Sequence, residues 1–487
     1  MAMRAKDVSG AAEGVPSDQL AALRRTFRGE LLTPGSNGYD AARQVWNLMV
    51  DHRPALIARC LGVGDVAAAI RFARDRGLEV SVRGGGHSIV GHAVIDGGVM
   101  VDLSLMRGVL VDPARQRARV QGGALIADLD RETQHFGLAT TGGVAYDTGV
   151  AGYTLGGGYG WLARRVGLAC DNLVSVELVT ADGSREVVTA ESDAELFWAL
   201  RGAGANFGVA TLFEFALHPL AHPVAYGDVF VDIDHAGPAL RAFRDLMAEA
   251  DDALTLNAVV GVAGPSFPIP EIHHGRVVLS MSWIWVGDDV SVGERLGRPL
   301  HAAPVLGERV VRTSYVDLQT GAERNRQRAY WKSSLLREVG DDVLDAFVAA
   351  GVTANANDEL ATVELIALGG AIARHGEDDS AYGHRDAVFD FLAISTWTDA
   401  AEDGARMSAA RMAWQQVAQT SDAGVYVNNL GLEGVERVRQ AYGAEKFERL
   451  TRVKRRVDPD NIFRHNQNIP PAPFGKRARA KGTDASP

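Results

Sequence analysis

Cysteine is nearly missing from this chain: Cys60 and Cys170 are the only two in 487 residues. Two are too few for a disulfide framework or a cysteine-built metal site, and neither belongs to a Cys-x-x-Cys pair, so a reducing cytoplasm suits the protein. Positive charge is also in deficit. The 50 Lys and Arg against 61 Asp and Glu leave a net charge of −11, without the basic excess that neutralises phosphates along a nucleic acid. Nucleic acid is therefore not an expected partner. No stretch approaches the ~18 uninterrupted apolar residues of a membrane span, so no membrane association is expected. Residues 1–20 mix Arg4, Lys6, Asp7, Glu13 and Asp18 and offer no apolar signal segment. Gly-x-Ser-x-Gly elbows and His/Asp/Glu clusters at metal-ligand spacing are absent too, leaving serine-hydrolase and metal-site readings without support.

What the chain does have is ordinary apolar content, 46% against 23% charged, enough for full-sized cores. At ~150 residues per domain the length suits two large domains. Glycine is in excess: 54 residues, where an average usage near ~7% would give about 34.

Short β-rich segments at Leu78–Val82, Val99–Leu103, Arg117–Val120 and Val174–Thr180 alternate with helical patterns, including one after Asp65 as its cap, Ile126–Phe136 and Ala194–Leu200. After Pro219 and Pro223 the strands lengthen (Val224–Ile233, Arg276–Val286, Thr362–Ala373, Ala387–Thr396), and helices at Pro238–Ala250 and Asp341–Ala350 separate them. This pattern predicts an α+β protein whose second domain is an antiparallel sheet with helices on one face. A strand at Val425–Asn429 and helices at Glu433–Tyr442 and Ala444–Val457 then pack back on the first domain. The expected division is 1–44 as an extension, 45–222 and 425–475 as one domain, 223–424 as the other, and 476–487 as a disordered tail.

Three glycine runs stand out. Arg83-Gly84-Gly85-Gly86-His87-Ser88 follows a strand and can turn with positive φ to present successive N–H groups to an anion, for which a pyrophosphate is the natural guest. Thr148–Gly160 places six glycines, Gly149, Gly152, Gly156, Gly157, Gly158 and Gly160, in thirteen positions, a density suited to backbone lying against a flat ring. The third run, Gly202–Gly208, tests a nicotinamide fingerprint and fails it: a helix precedes, a strand from Val209 follows, and the spacing is G-x-G-x-x-x-G.

Together with Gly167-Leu-Ala-Cys-Asp171-Asn172, Phe197-Trp-Ala-Leu-Arg-Gly202, Asn206-Phe-Gly208, Tyr426-Val-Asn428, Asp458-Pro-Asp-Asn461 and Asn466-Gln-Asn468, these runs resemble the berberine bridge enzyme-like flavoprotein oxidases. That family belongs to the vanillyl-alcohol oxidase and p-cresol methylhydroxylase type of FAD protein, and the likeness extends over about residues 45–472. It implies an FAD domain made from both chain ends and an intervening substrate domain. It also implies covalent attachment of FAD at His87, since a neutral imidazole is a competent nucleophile near neutral pH. Many members add a bond from a cysteine. Here Ala145 falls at that position and Tyr153 at the neighbouring histidine position, so a single linkage is expected. Thr148 falls where the family carries a small residue thought to gate oxygen.

The resemblance further implies a cofactor site of Arg83 to Ser88, Gly149, Gly152, Tyr153, Gly157, Gly158, Gly160, Gly208, Val209, Tyr426, Asn428 and Asn466. Tyr426 is expected as general base, with Asn428 beside it on the same strand face. Of Glu364, Arg374, His384, Arg385 and Asp390, with Trp283, Trp285, Tyr330, Trp331, Lys332 and Trp397, most read as structural. The implied activity is oxidation of a small organic substrate at a C–H next to O or N, with O2 reduced to H2O2. A tailoring enzyme that couples oxidation to cyclisation or dehydrogenation is the alternative within flavin chemistry, and a binding protein without turnover is the alternative outside it. Substrate identity and oligomeric state are not encoded in any motif.

Overall fold

The computed structural model describes residues 16–220, 222–321, 325–355, 361–420 and 424–473. Strands Leu56–Arg59, Val99–Asp102 and Val80–Arg83 form a parallel set, with helix Val63–Asp75 connecting the first and last. Val66, Ala69, Ile70 and Ala73 recur at helical spacing on this helix and are buried. Asp65 does not cap it. The carboxylate instead accepts the backbone N–H groups of Leu61, Arg28 and Gly29, tying in the chain that precedes the sheet. Residues 16–44, expected as an extension, accordingly supply an edge strand: Glu30–Leu32 pairs antiparallel with Leu56–Arg59.

A second, antiparallel sheet has the order Val109–Asp112, Arg117–Gln121, Val209–Ala216, Leu173–Val179, Arg185–Val188. The third is seven-stranded and antiparallel, ordered Val305–Thr313, Val224–Asp232, Val277–Trp285, Leu254–Val262, Thr362–Ala367, Phe389–Trp397, Arg328–Leu336. Thr362–Ala367 ends earlier than expected because Gly369 and Gly370 both take positive φ (78° and 56°), and a short helix, Ala371–Arg374, follows. Helices Ala236–Glu249, Asp341–Ala354 and Asp403–Ala418 cover one face. Phe389 stacks on Phe243 at 5.5 Å and Phe391 meets Phe347 edge-on at 6.2 Å; burial of each ring stabilises the layer by roughly 1.5–3 kcal/mol. Trp283 and Trp285 also face this layer, against Gly297 and Gly293, so they are core rather than pocket.

The strand alternation that turns Phe389 and Phe391 toward the helices turns Asp390 the other way, toward the first half of the molecule. There the C-terminal segment returns. Lys454, on helix Ala444–Val457, donates to the carbonyls of Asn206 and Phe463 and to the Asp458 carboxylate, all buried. Asn206 in turn accepts the N–H of Ile469 and donates to Gln467 O. Val425–Asn429 is not a strand. It is extended as far as Tyr426 and closes in a single 3-10 turn, Val427–Asn429, with Asn429 N–H donating to Tyr426 O; asparagine side chains that find local partners favour such turns over a ladder. The tail 476–487 lies outside the described residues.

Candidate active site

The Arg83–Ser88 loop is fixed by backbone contact. Gly85 lies so close to Gly149 that a Cβ on either would overlap the other's main chain. Trp46 N–H donates to Gly86 O at 3.0 Å, Arg83 donates to Ala42 O, and Ser88 O accepts from Gly91 N–H. His87 projects from this loop and stacks on Trp46, with centroids 4.6 Å apart and an 18° interplanar angle, while its Nε2 lies 3.4 Å from Asp147 Oδ1. Ala145 is buried in the same segment as Asp147.

Gly157 and Gly158 hold φ values of 122° and 85°. A Cβ on Gly157 would come within 2.6 Å of the Tyr382 ring and 3.3 Å of the Tyr426 ring, and one on Gly158 within 2.6 Å of the Tyr153 ring. These two glycines let the protein's own tyrosines lie against the backbone. Gly156 is closed by the Asn428 side chain and Gly160 by Gly142 O. Gly152, by contrast, is exposed, and a Cβ there would meet nothing within 4 Å. Gly208 packs on Leu178, and Val209 pairs with Val179 inside the five-stranded sheet. Asn466 donates to Ala205 O and Phe463 O.

Tyr426 and Asn428 do come together, through the turn rather than along a strand. Gly158 N–H (2.9 Å) and Asn428 Nδ2 (2.7 Å) both donate to Tyr426 Oη, and the same amide donates to Tyr153 O at 3.0 Å. Tyr426 is only 4% exposed, and burial pushes its phenol above the ordinary range.

A neighbouring group was not anticipated. Tyr159 Oη donates to Asp390 Oδ2 at 2.8 Å; Asn429 Nδ2 donates to the same oxygen at 2.8 Å and to Tyr159 Oη at 3.1 Å. Asp390 is fully buried. That burial pushes its carboxyl up to about 7, Glu364 adds to the rise, and the two hydrogen bonds oppose it. The Tyr159 and Tyr426 rings lie 4.8 Å apart. Trp331 Nε1 donates to Asn429 O at 3.2 Å and its indole lies 6.0 Å from Trp46, so contacts run unbroken from His87 through Trp46, Trp331 and Asn429 to Asp390 and Tyr159. Trp46, Trp331, Tyr159, Asn429 and Glu364 are all half-buried.

The signals were present but faint. Tyr159 stands in a run read for its glycines, Asn429 would have pointed away on a strand, and Asp390 is one charge between two phenylalanines. Other polar residues of the sheet have structural tasks. Arg385 forms a buried bidentate pair with Asp171, His384 takes a positive φ (64°) and meets Gln440 O at 2.7 Å, Arg374 pairs with Asp252, and Lys332 pairs with Glu433.

The donor set fits a large polar cofactor. Buried atoms without hydrogen-bond partners include Tyr153 Oη, Thr154 Oγ1, Asn466 Oδ1 and Asn468 Oδ1, all on the segments that carry the motifs. Residues 54–189 match the model of the FAD binding domain, and residues 425–470 match the berberine and berberine-like model. Fold and site thus define an FAD-dependent oxidoreductase of the p-cresol methylhydroxylase-type fold. The chain is 33% identical over 470 residues to (R)-6-hydroxynicotine oxidase of Paenarthrobacter nicotinovorans, covering 92% of this chain and 97% of that one. The crystal structure of 6-hydroxy-D-nicotine oxidase from Arthrobacter nicotinovorans aligns with a TM-score of 0.82 at 31% identity, over 92% of this chain and 98% of its own. Glucooligosaccharide oxidase from Acremonium strictum, which carries a 6-S-cysteinyl, 8α-N1-histidyl FAD, shares the fold at a TM-score of 0.83 and 23% identity, over 94% of this chain and 100% of its own. The protein belongs to the berberine bridge enzyme-like family of FAD-linked oxidases.

Proposed function

We propose that this oxidase holds FAD through one covalent bond, at His87, and none at a second residue. The observation that carries this reading is His87 itself, presented from a backbone-locked glycine loop, clamped against Trp46 and approached at Nε2 by Asp147. A carboxylate at Nε2 favours the tautomer with its proton there, which leaves Nδ1 with a free lone pair. Ala145 offers no thiol, and Cys170 is buried with its thiol pushed well above the ordinary range, which disfavours the reactive thiolate.

FAD bound there would supply the hydride acceptor for oxidation of a small organic substrate at a C–H next to O or N, with O2 as final electron acceptor and H2O2 as product. The chain's part is to orient the substrate and receive its proton. Trp46 and Trp331 supply flat apolar walls, and Tyr159, Asn429 and the Glu364 carboxylate supply polar contacts from the facing elements. We assign FAD binding to 45–222 with 425–475 and substrate binding to 223–424, which contains all seven strands of the large sheet. A reducing cytoplasm, with neither nucleic acid nor membrane as partner, is the setting we infer from the two cysteines, both free and buried, and from the net charge.

The test is a panel of alcohols, amines, sugars and phenolic metabolites screened for H2O2 and, without air, for flavin bleaching. Bleaching that reverses within seconds of admitting air, with peroxide formed, is the expected result. A flavin that stays bleached in air would make the protein a dehydrogenase, and a flavin that no compound bleaches would favour a binding role.

A further inference from the structure

On strand Leu254–Val262 the side chains of Leu254, Leu256, Ala258 and Val260 pack into the helix-covered core. Alternation turns Thr255, Asn257 and Val259 the other way, onto the sheet face that carries Asp390. Register lines up Ser282, Asn257, Ile366 and Asp390 across four neighbouring strands. Asn257 thus lies two strand spacings, roughly 10 Å, from Asp390. The segment that follows the glycine run covers this face, where Thr255 Oγ1 donates to Trp161 O at 3.0 Å.

Asn257 is 8% exposed, and its Oδ1 is buried with no hydrogen-bond partner among the described residues. The register explains why. Ser282, opposite on one side, gives its hydroxyl to Asp228 Oδ1 at 2.8 Å; Ile366, opposite on the other, has no polar side-chain atom to give. A buried amide left in this state costs folding free energy, and a leucine of similar size would suit the fold better. Val259, Glu364 and Ile366, next to it on the same face, remain half-buried. Glu364 stands opposite Val259 and so diagonal to Asn257, within reach across the strand pair. The place combines an unused carboxamide oxygen, a carboxylate and two apolar side chains.

Resting on the FAD-linked reading above, we propose that Asn257 recognises the substrate. Its Oδ1 accepts a hydroxyl or N–H of the substrate at a position remote from the C–H that is oxidised, with Glu364 beside it as a second acceptor. Such a remote contact holds the molecule without entering its chemistry, so it sets which compounds bind. A substrate whose far end carries a donor is selected. One whose far end carries only acceptors leaves acceptor facing acceptor and is rejected.

The experiment uses the FAD-loaded enzyme and two variants, Asn257→Leu, which keeps the volume, and Asn257→Ala, which cannot overpack. Melting temperatures are read with 6-hydroxynicotine, a glucooligosaccharide and a simple phenol, each beside its O-methylated analogue, in which the donor is blocked. Without ligand the Leu variant should melt at or above the parent. At least one donor-bearing compound should raise the melting temperature of the parent, and its affinity should fall ~10- to 100-fold in both variants. O-methylation should weaken binding to the parent by a similar factor and leave binding to the variants nearly unchanged. With any compound that bleaches the flavin, KM should rise by the same factor while kcat holds. Affinity that survives in both variants, or a parent that no donor-bearing compound stabilises, overturns the proposal. So does unfolding of both variants well below the parent without ligand, since the carboxamide would then serve the fold. Compounds that bind through Asn257 but never bleach the flavin would leave this assignment standing and remove the oxidase reading.

Discussion

Tyr159 and Tyr426 stand 4.8 Å apart, come from distant parts of the chain, and differ in how their hydroxyls are hydrogen-bonded. Tyr159 gives its proton toward a carboxylate; Tyr426 receives N–H groups from Gly158 and Asn428. Two residues of one type thus differ in what their hydroxyls hold, a carboxylate for one and a glycine-run amide for the other. A family motif carries the name of the second, yet the partner of each hydroxyl, not its place in a motif, decides what it can do with a proton.

The largest effect that separates them is kinetic. Tyr426→Phe, if the phenol is the general base, should slow flavin reduction ~10²- to 10⁴-fold and destabilise the fold by about 1–3 kcal/mol, since Gly158 N–H and Asn428 are left without their acceptor, whereas Tyr159→Phe should slow it by about tenfold or less. Rapid-reaction kinetics and urea melts on the two variants check this; equal kinetic losses would erase the distinction.

Next comes the return of the C-terminal segment. Lys454→Ala removes the buried partner of the Asp458 carboxyl and of two buried carbonyls, so it should cost about 3–5 kcal/mol. Denaturant unfolding measures it, and a loss under ~1 kcal/mol would show that the C-terminal return is held elsewhere.

The third prediction compares two buried carboxyls. Asp130 and Asp390 are both pushed up to about 7 by burial, but Asp130 accepts from Gln319 alone among the described residues. A raised carboxyl binds its proton more tightly in the folded state, so its stabilising contribution is complete below the unfolded value near ~3.9 and is lost as pH rises through about 7. The change per carboxyl is on the order of 4 kcal/mol. Asp130→Asn should therefore melt above the parent at alkaline pH, with the advantage shrinking in acid. A melting difference that does not depend on pH would contradict this. The smallest effect expected is Asn428→Ala, about 1 kcal/mol from the loss of two hydrogen bonds, read by thermal melts.

Periodicity made the antiparallel sheet and its helices legible, because Phe243, Phe347, Phe389 and Phe391 recur where each element needs an inward residue. The glycine runs and the Asn206 and Asp458 motifs likewise pointed to the FAD site and to the meeting of chain ends. What stayed hidden depended on side-chain direction. Asn428 and Asn429 fold the Val425–Asn429 segment into a turn, so both asparagines reach the site instead of one. Gly157 and Gly158 serve Tyr382, Tyr426 and Tyr153 as much as any ligand, and Asp390 became visible only when strand register turned it from the phenylalanines toward Tyr159.

The most direct measurement concerns the flavin itself. Acid-precipitated protein should stay yellow, its digest should contain one FAD-bearing peptide that includes His87 and none that includes Cys60 or Cys170, and His87→Ala should release its flavin to the supernatant. Free FAD in the supernatant of the unaltered protein would contradict attachment at His87.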